Sequence, residues 1–317
     1  MKKICIVLFN LGGPDSLQAV QPFLFNLFSD KDIFRLPFGQ KLFAGIISSR
    51  RAPKIIEEYR QIGGSSPINK WTEIQRSMLE KSLKETYPEI EVFTAMRYWN
   101  PLTKETAGII RNKFFDRIIL LPLYPHYSIS TTGSSFNEWK RCFGEDKRAV
   151  FINNYCDNED YIEALNERID KAIEESEISI RSNLQLVFSA HGTPVSMVKS
   201  GDPYSIQIEK TVRSIMEKRK QSHEWHLCFQ SKVGPVKWLE PSTENTIKKL
   251  AAEGKKNLII IPVSFVSDHI ETLYELDIEY RHTAKESGIE SYKVIQGLND
   301  SPLFINALKK IVLSEIK

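Results

Sequence analysis

The stretch LQLVFSAHGTP, Leu184–Pro194, shows the pattern that decides the fold: a mostly apolar run followed by a turn of glycine, threonine and proline. A short continuous apolar run is typical of a strand buried on both faces of a parallel sheet. Similar runs recur along the chain. The strand candidates are Ile4–Phe9, Val92–Met96, Arg117–Leu121, Ala149–Ile152, Leu184–Ser189, His226–Phe229, Leu258–Val263 and Tyr292–Ile295.

Stretches with helical periodicity separate these runs, and strands that alternate with helices predict parallel sheets joined by right-handed crossovers. A chain of 317 residues exceeds the size at which one core usually stops growing. The strand candidates divide evenly near Asn153–Asn158. We therefore expect an α/β fold with two Rossmann-like lobes, each a four-stranded parallel sheet flanked by helices. The expected parts are residues 1–153, residues 154–300 and a C-terminal helix, residues 301–317, that packs back on the first lobe. The clearest helical stretches are Thr103–Asn112, Asp160–Ser176, Ser205–Lys220, Thr243–Glu253 and Pro302–Ile316.

The composition excludes several classes of protein. With 43 basic and 40 acidic residues the net charge is only +3, so we expect no nucleic-acid partner. The four cysteines show no CxxC spacing, which favours buried thiols in a reducing compartment over disulfides or a zinc site. The N-terminal run MKKICIVLFN is too short to span a membrane and lacks a cleavage site, so it predicts a first strand. The sequence predicts a soluble protein or one that lies on a membrane surface.

Ligands of parallel α/β folds bind beyond the carboxyl ends of the strands, and two predicted strand ends carry titratable side chains. His191 follows the strand quoted above, where an imidazole can exchange a proton near neutral pH or bind a metal. The other end is followed by SDHIETLYELDIEY. An ideal α-helix would align four of its carboxylates within about 80° of one another: Asp268, Glu271, Glu275 and Glu279. Like charges at this spacing repel, which favours a bound cation, although a solvated acidic face is the alternative.

Large apolar and aromatic side chains accompany these residues. The stretch FRLPFGQKLFAGII, residues 34–47, is either a helix packed on the sheet or an exposed apolar lip, residues 33–50, that touches a membrane or an apolar substrate. Rings and a few cations follow other strand ends, for example Arg97-Tyr98-Trp99 and Trp238. Such walls suit a large flat ligand that carries carboxylates.

Motifs over nearly the whole chain resemble those of the ferrochelatases, enzymes that insert ferrous iron into a porphyrin at the end of haem synthesis. They are NLGGP (10–14), RAPK (51–54), YRQIGG (59–64), RY (97–98), STTGSS (130–135), SAH (189–191), GDPY (201–204), QSKVGP (230–235) and SDHIETLYELDIEY (267–280). The resemblance implies two Rossmann-like lobes with a cleft between them. It also implies that His191 is the essential histidine and that Glu271 faces it across the porphyrin.

The same resemblance extends the site. Glu275 and Glu279 match an acidic line that leads from the pocket, so we expect metal or protons to be handled by His191, Glu271, Glu275 and Glu279. In this family that segment contains a widened helical turn. The residues expected to bind the substrate are Tyr59, Ser66, Arg97, Tyr98, Trp238, Phe265, Asp268 and His269.

Departures from the family pattern refine the expectation. Some members hold a [2Fe-2S] cluster on three C-terminal cysteines and one internal cysteine. Here Ile129 stands at the internal position and the tail is missing, so we expect no cluster and no permanently bound cofactor, with Fe²⁺ as a substrate. Relatives that use coproporphyrin often carry a tyrosine ligand where Leu11 stands, which favours protoporphyrin IX. No transit peptide is visible, which favours a bacterial cytoplasm with peripheral membrane contact through the apolar lip. A tetrapyrrole carrier without turnover and a nucleotide-binding transferase are the alternatives.

Overall fold

The computed structural model describes residues 2–34, 36, 38–232, 234 and 236–316, so Arg35 and Pro37 of the predicted lip and Val233 and Pro235 of the QSKVGP motif lie outside the described residues. The chain forms two compact units. The first comprises Met1–Asn154 and Phe304–Lys317, and the second comprises Tyr155–Leu303.

The first unit is built on a parallel sheet in the order β2-β1-β3-β4. Its central strand, ICIVLFN, is buried along its whole length, which explains why its sequence is continuously apolar. The strands are β1 (Ile4–Asn10), β2 (Ile90–Met96), β3 (Arg117–Pro122) and β4 (Ala149–Phe151). The helices are α1 (Val20–Phe28), α2 (Gln40–Gln61), α3 (Ile68–Lys84), α4 (Thr103–Arg111) and α5 (Ser134–Phe143), with a π-helix at Ile129–Gly133.

The second unit repeats this plan with a parallel sheet in the order β6-β5-β7-β8. The strands are β5 (Gln185–His191), β6 (Trp225–Gln230), β7 (Asn257–Pro262) and β8 (Ser291–Val294). The helices are α6 (Glu159–Glu174), α7 (Val195–Lys199), α8 (Tyr204–Lys218), α9 (Thr243–Ala252) and α10 (Tyr280–Glu286), with a 3₁₀ helix at Ile178–Asn183 and a π-helix at Glu271–Glu279. The chain ends in α11 (Pro302–Ile316).

The two units share details of backbone register, which indicates a structural duplication. Phe9 of β1 pairs with Pro122, and Ser189 of β5 pairs with Pro262. In each unit the residue after that proline donates its N–H back across the sheet: Leu123 to Phe9 at 2.8 Å and Val263 to Ser189 at 3.1 Å. The predicted fold class, α/β with two four-stranded parallel sheets, is confirmed.

Each sheet has its own apolar core. In the first unit Phe9 meets Phe136 and Trp139 edge-to-face, with ring centroids 5.8 and 5.9 Å apart. In the second unit Val187 and Leu276 belong to one buried cluster. Burial of a large apolar side chain contributes about 1.5–3 kcal/mol, so these clusters hold the strand ends in place. Among the described residues, no helix is long and apolar enough to cross a membrane.

Candidate active site

His191 is the last residue of β5, a central strand of the second sheet. The sequence placed it just past the strand, but its backbone pairs with Gln230 of β6 and so continues the ladder. Its backbone N–H donates to Ser264 Oγ at 3.0 Å. Its side chain is 38% exposed. The imidazole therefore stands at the carboxyl edge of the sheet, where ligands of such folds bind.

Glu271 reaches the same edge from the segment after β7. This segment is a π-helix over Glu271–Glu279, so the α-helical angles predicted for the acidic stripe are wrong. A π-helix bonds residue i to i+5 and so has a wider turn, which is rare and frequent at functional sites. It brings Glu271 Oε2 to 2.8 Å from His191 Nδ1. The structure thus joins the two predicted catalytic side chains directly, and the expectation that Glu271 faces His191 across the porphyrin is wrong, because no ring can lie between groups in hydrogen-bond contact.

Ser231, which the sequence named only as part of the QSKVGP motif, links Glu271 to Glu275. Its hydroxyl lies 3.3 Å from Glu271 Oε2 and also donates to Glu275 Oε2. Its backbone N–H donates to Glu275 Oε1 at 2.8 Å, and Tyr280 Oη donates to the same oxygen at 2.9 Å. Ser231 has a left-handed backbone with φ of 64°. The result is a continuous hydrogen-bonded chain from His191 through Glu271 and Ser231 to Glu275.

The titratable groups along this hydrogen-bonded chain have pKa values that are shifted in different directions. Burial lowers the pKa of His191, but the carboxylate of Glu271 outweighs it and the net pKa is raised. Burial would raise the pKa of Glu271, yet His191 holds it at about 2. Burial and the neighbouring charge of Glu271 raise the pKa of Glu275. Neighbouring titratable groups whose pKa values are pushed apart are typical of sites that move protons.

His269 and Phe265 form the wall beside His191. Their rings lie 4.4 Å apart at 61°, and the Phe265 ring is 6.3 Å from that of His191. His269 is only 6% exposed, and its Nδ1 lies 3.0 Å from the carbonyl oxygen of Ser267. Burial lowers the pKa of His269. Its Nε2 has no hydrogen-bond partner among the described residues, which leaves a neutral nitrogen lone pair beside the site.

The other predicted residues of this unit have different surroundings. Trp238 is half-buried and follows β6; a Cβ on Gly192, next to His191, would lie 3.4 Å from its ring. Asp268 is buried and bonded to Asn299, Gly297 and Thr272. Glu279 is exposed at the end of the π-helix. Their roles toward substrate or metal stay predictions. In the parts of the chain that the structure describes, no group of three or more His, Cys, Asp or Glu side chains is arranged to hold a metal ion.

The first unit holds the remaining predicted residues. Arg97 and Tyr98 follow β2 and both contact Asp30: Arg97 Nη2 lies 2.8 Å from Oδ1, and Tyr98 Oη donates to Oδ2 at 2.7 Å. Burial would raise the pKa of Asp30, but Arg97 and its hydroxyl donors hold it low. Asp30 carried no signal in the sequence because its partners are distant along the chain.

Tyr59 and Ser66 also lie in the first unit. Tyr59 is buried on α2. Ser66 donates its backbone N–H to Pro14 O at 2.7 Å, just beyond β1. A Cβ on Gly13 would come within 2.5 Å of Ser66, so only glycine permits this close approach. Ser66 is therefore fixed near the carboxyl end of β1.

Comparison with solved structures first gives the class of fold. SirB from Bacillus subtilis with Fe³⁺ matches with a TM-score of 0.57 and 12% identity, covering 99% of this chain and 95% of that chain. CbiX, the terminal enzyme for biosynthesis of siroheme in denitrifying bacteria, matches with a TM-score of 0.55 and 12% identity over 100% of both chains. At such identity the likeness concerns the fold alone, which is that of the two-lobed chelatases.

Sequence comparison then gives the family. The family model described as Ferrochelatase matches residues 3–316. The ferrochelatase of Geotalea daltonii is 48% identical over 318 residues, covering 99% of this chain and 98% of the relative. That of Gloeothece citriformis is 44% identical, covering 100% of this chain and 83% of the relative. The chain belongs to the ferrochelatase family, the metal-chelating enzymes that insert iron into a porphyrin during haem synthesis.

Proposed function

We propose that this chain inserts Fe²⁺ into protoporphyrin IX, with release of two protons, as the last step of haem biosynthesis. The observation that carries the proposal is the bonded chain from His191 through Glu271 to Glu275 at a sheet edge. Iron can bind the porphyrin only after two pyrrole N–H groups have lost their protons. The site therefore needs an acceptor for protons and a path along which ions move.

His191 is the proposed proton acceptor. Its ring is partly exposed, while Glu271 fixes Nδ1 at 2.8 Å. A carboxylate on one ring nitrogen stabilises the imidazolium that forms when the other nitrogen takes a proton. Positioned acid–base groups of this kind contribute about 10²–10⁴-fold to rate.

Glu271, Glu275 and Glu279 form the proposed path for ions or protons. Glu275 is held by Ser231 and Tyr280, whereas Glu279 is exposed. The order from the bonded pair to the surface supports a route that ends in solvent. Carboxylate oxygens suit protons and hard divalent cations alike.

The choice of protoporphyrin IX rests on Leu11. This residue comes directly after β1, and its aliphatic side chain offers no atom that binds iron. Fe²⁺ is a substrate here, and we propose that no iron–sulfur cluster is present, because Ile129 is not a ligand. An absorption spectrum of the purified protein tests the second point, since a bound cluster absorbs in the visible range.

The apolar lip is the proposed contact with a membrane from the cytoplasmic side. Phe38 is 90% exposed, Leu42 70% and Ile46 44%. Their spacing of four residues puts Leu42 and Ile46 on one face of α2, and Lys41 and Arg50 are exposed nearby. Apolar side chains with flanking cations suit an anionic lipid surface. We expect Leu42→Asp to reduce sedimentation with vesicles of anionic lipid. Equal sedimentation of Leu42→Asp and the unchanged protein would contradict this role.

Anaerobic mixing of the protein with Fe²⁺ and protoporphyrin IX tests the activity, with loss of the free-porphyrin absorption bands as the readout. We expect His191→Ala and Glu271→Gln to lose at least about 100-fold in rate. The matched controls are His282→Ala and Glu286→Gln, which remove the same groups from an exposed pair 3.4 Å apart on α10. Wild-type rates in both site variants would overturn the assignment.

The same assay separates the alternatives. Porphyrin binding without insertion in the unchanged protein would favour a tetrapyrrole carrier. Faster turnover of coproporphyrin III than of protoporphyrin IX would overturn the substrate proposal while leaving the insertion activity intact.

A further inference from the structure

The loop after β8 is bonded to the residues that lead into the π-helix. Asn299 N–H donates to Val266 O at 2.9 Å, and Gly297 N–H donates to Asp268 Oδ1 at 3.0 Å. Between the side chains, Asn299 Nδ2 donates to Asp268 Oδ2 at 2.6 Å. Asp268 N–H in turn donates to Asn299 Oδ1 at 2.9 Å. Four hydrogen bonds thus join two short segments that lie about 30 residues apart in the sequence.

The backbone of this loop is specialised for that contact. Asn299 has a φ of 42°, in the left-handed region that asparagine tolerates better than most residues. A Cβ on Gly297 would lie 2.9 Å from the backbone nitrogen of Asp268, so any side chain there would push the segments apart. Both residues are consistent with a contact that is built into the fold.

Asp268 also forms hydrogen bonds that connect the loop after β8 to the first turn of the π-helix. Its Oδ1 also accepts from Thr272 Oγ1 at 3.1 Å, and the Thr272 hydroxyl accepts from His269 N–H at 3.0 Å. Thr272 is buried and directly follows Glu271. The first turn of the helix that carries Glu271 is therefore fixed through Asp268.

We propose that Asp268 and Asn299 form a clasp that positions Glu271 against His191, and that Asp268 acts through this clasp and not by touching the substrate. Both are positioning residues. The inference rests on the proposed function, because it assumes that the His191–Glu271 contact is needed for insertion. A displacement of about 1 Å at a reacting group can cost about 100-fold in rate.

A reciprocal exchange tests the clasp. Asn299→Asp sets a carboxylate against Asp268, and Asp268→Asn sets an amide donor against the Asn299 amide. The double variant Asp268→Asn/Asn299→Asp restores one donor and one acceptor in the opposite order. We expect each single variant to lower kcat for Fe²⁺ insertion by about 100-fold while the Kd for protoporphyrin IX, from tryptophan quenching, stays within about twofold. The double variant should recover most of the lost kcat.

The control for general destabilisation is Ala172→Gly on α6 of the same unit, a buried position outside the cluster that contains Leu276 of the π-helix. Glycine there costs about 1 kcal/mol of helix stability, and kcat should not change. Two results would overturn the clasp: single variants with wild-type kcat, or a fall in kcat that the exchange does not recover. If Glu271→Gln is itself fully active, the proposed function fails instead, whatever the clasp variants do.

Discussion

The pKa of His191 should fall from above its ordinary value to below it in Glu271→Gln. In the folded protein burial lowers this pKa, and the carboxylate of Glu271, 2.8 Å from Nδ1, is the main group that raises it above the ordinary range, with a smaller contribution from Glu275. Glutamine keeps the shape of the side chain and removes the charge. The effect of burial on the pKa of His191 is then opposed mainly by the smaller contribution of Glu275.

The size of the shift follows from the contact. A hydrogen bond to a charged group contributes about 1.5–3 kcal/mol, and one pKa unit corresponds to about 1.36 kcal/mol. These values give a fall of about one to two units. Because the His191 side chain is 38% exposed, solvent screens part of the interaction, and we expect about one unit.

The assay is an NMR pH titration of the imidazole signals in protein with labelled histidine. The chain has six histidines, and the spectrum of His191→Ala assigns the signal. Glu275→Gln is the graded control, because Glu275 raises the pKa of His191 less than Glu271 does, so the shift should be smaller. An unchanged or higher pKa of His191 in Glu271→Gln would refute the reasoning.

The direction of the pKa change of His191 also predicts how the rate of insertion depends on pH. His191 accepts a proton only when its imidazole is neutral. The rate of iron insertion should therefore increase as the pH rises through the raised pKa of His191. In Glu271→Gln the residual activity should start to rise at a lower pH. A rate profile whose acidic limb does not move, with a lowered pKa by NMR, would show that His191 is not the proton acceptor.

Three further outcomes follow from the described contacts. Asp30→Asn should lower the free energy of unfolding in urea by about 3–5 kcal/mol at pH 7, because it removes the nearest carboxylate from the largely buried Arg97 and leaves only Glu138, 3.9 Å away, as a charged partner. Since the pKa of Asp30 is lowered in the folded state, this difference should shrink as the pH falls below about 4. Ser231→Ala should reduce kcat about fivefold to tenfold without a matching loss of stability, because it breaks the link between two carboxylates; an unchanged kcat would argue against the link. Phe188→Ala, at a position with no exposure, should cost about 3–5 kcal/mol of stability by calorimetry, and a cost below about 1 kcal/mol would contradict its place in the core.

The strands were predictable because burial on both faces leaves a direct trace in the sequence. The run Arg117–Leu121 was predicted as a strand, and the structure has Arg117–Pro122. Strand ends were less certain, since backbone pairing decides them and side-chain polarity does not. His191 shows this, because its pairing with Gln230 continues β5 past the last apolar residue.

The site was predictable in its members but not in its geometry. His191 and the acidic segment could be chosen because each lies at the end of a predicted strand, and the family resemblance singled out Glu271 within that segment. The π-helix could not be derived from periodicity, because an acidic residue at every fourth position fits an α-helix equally well. The role of Ser231 was missed, because it depends on a left-handed backbone and on partners 40 and 44 residues away.

The duplication shows why the chemistry depends on side chains and not on the fold. Phe9 and Ser189 occupy matching positions in the two sheets, so two residues later Leu11 corresponds to His191. At this matching position the first unit therefore has an inert aliphatic side chain and the second unit has an imidazole. The residues that follow the neighbouring strands also differ. Arg97, after β2, neutralises a buried carboxylate, whereas Ser231, after β6, joins two carboxylates to a histidine. A charge that is fully paired contributes stability, and one that is shared along a bonded chain remains able to exchange a proton, so the second unit is the one we expect to carry out proton transfer.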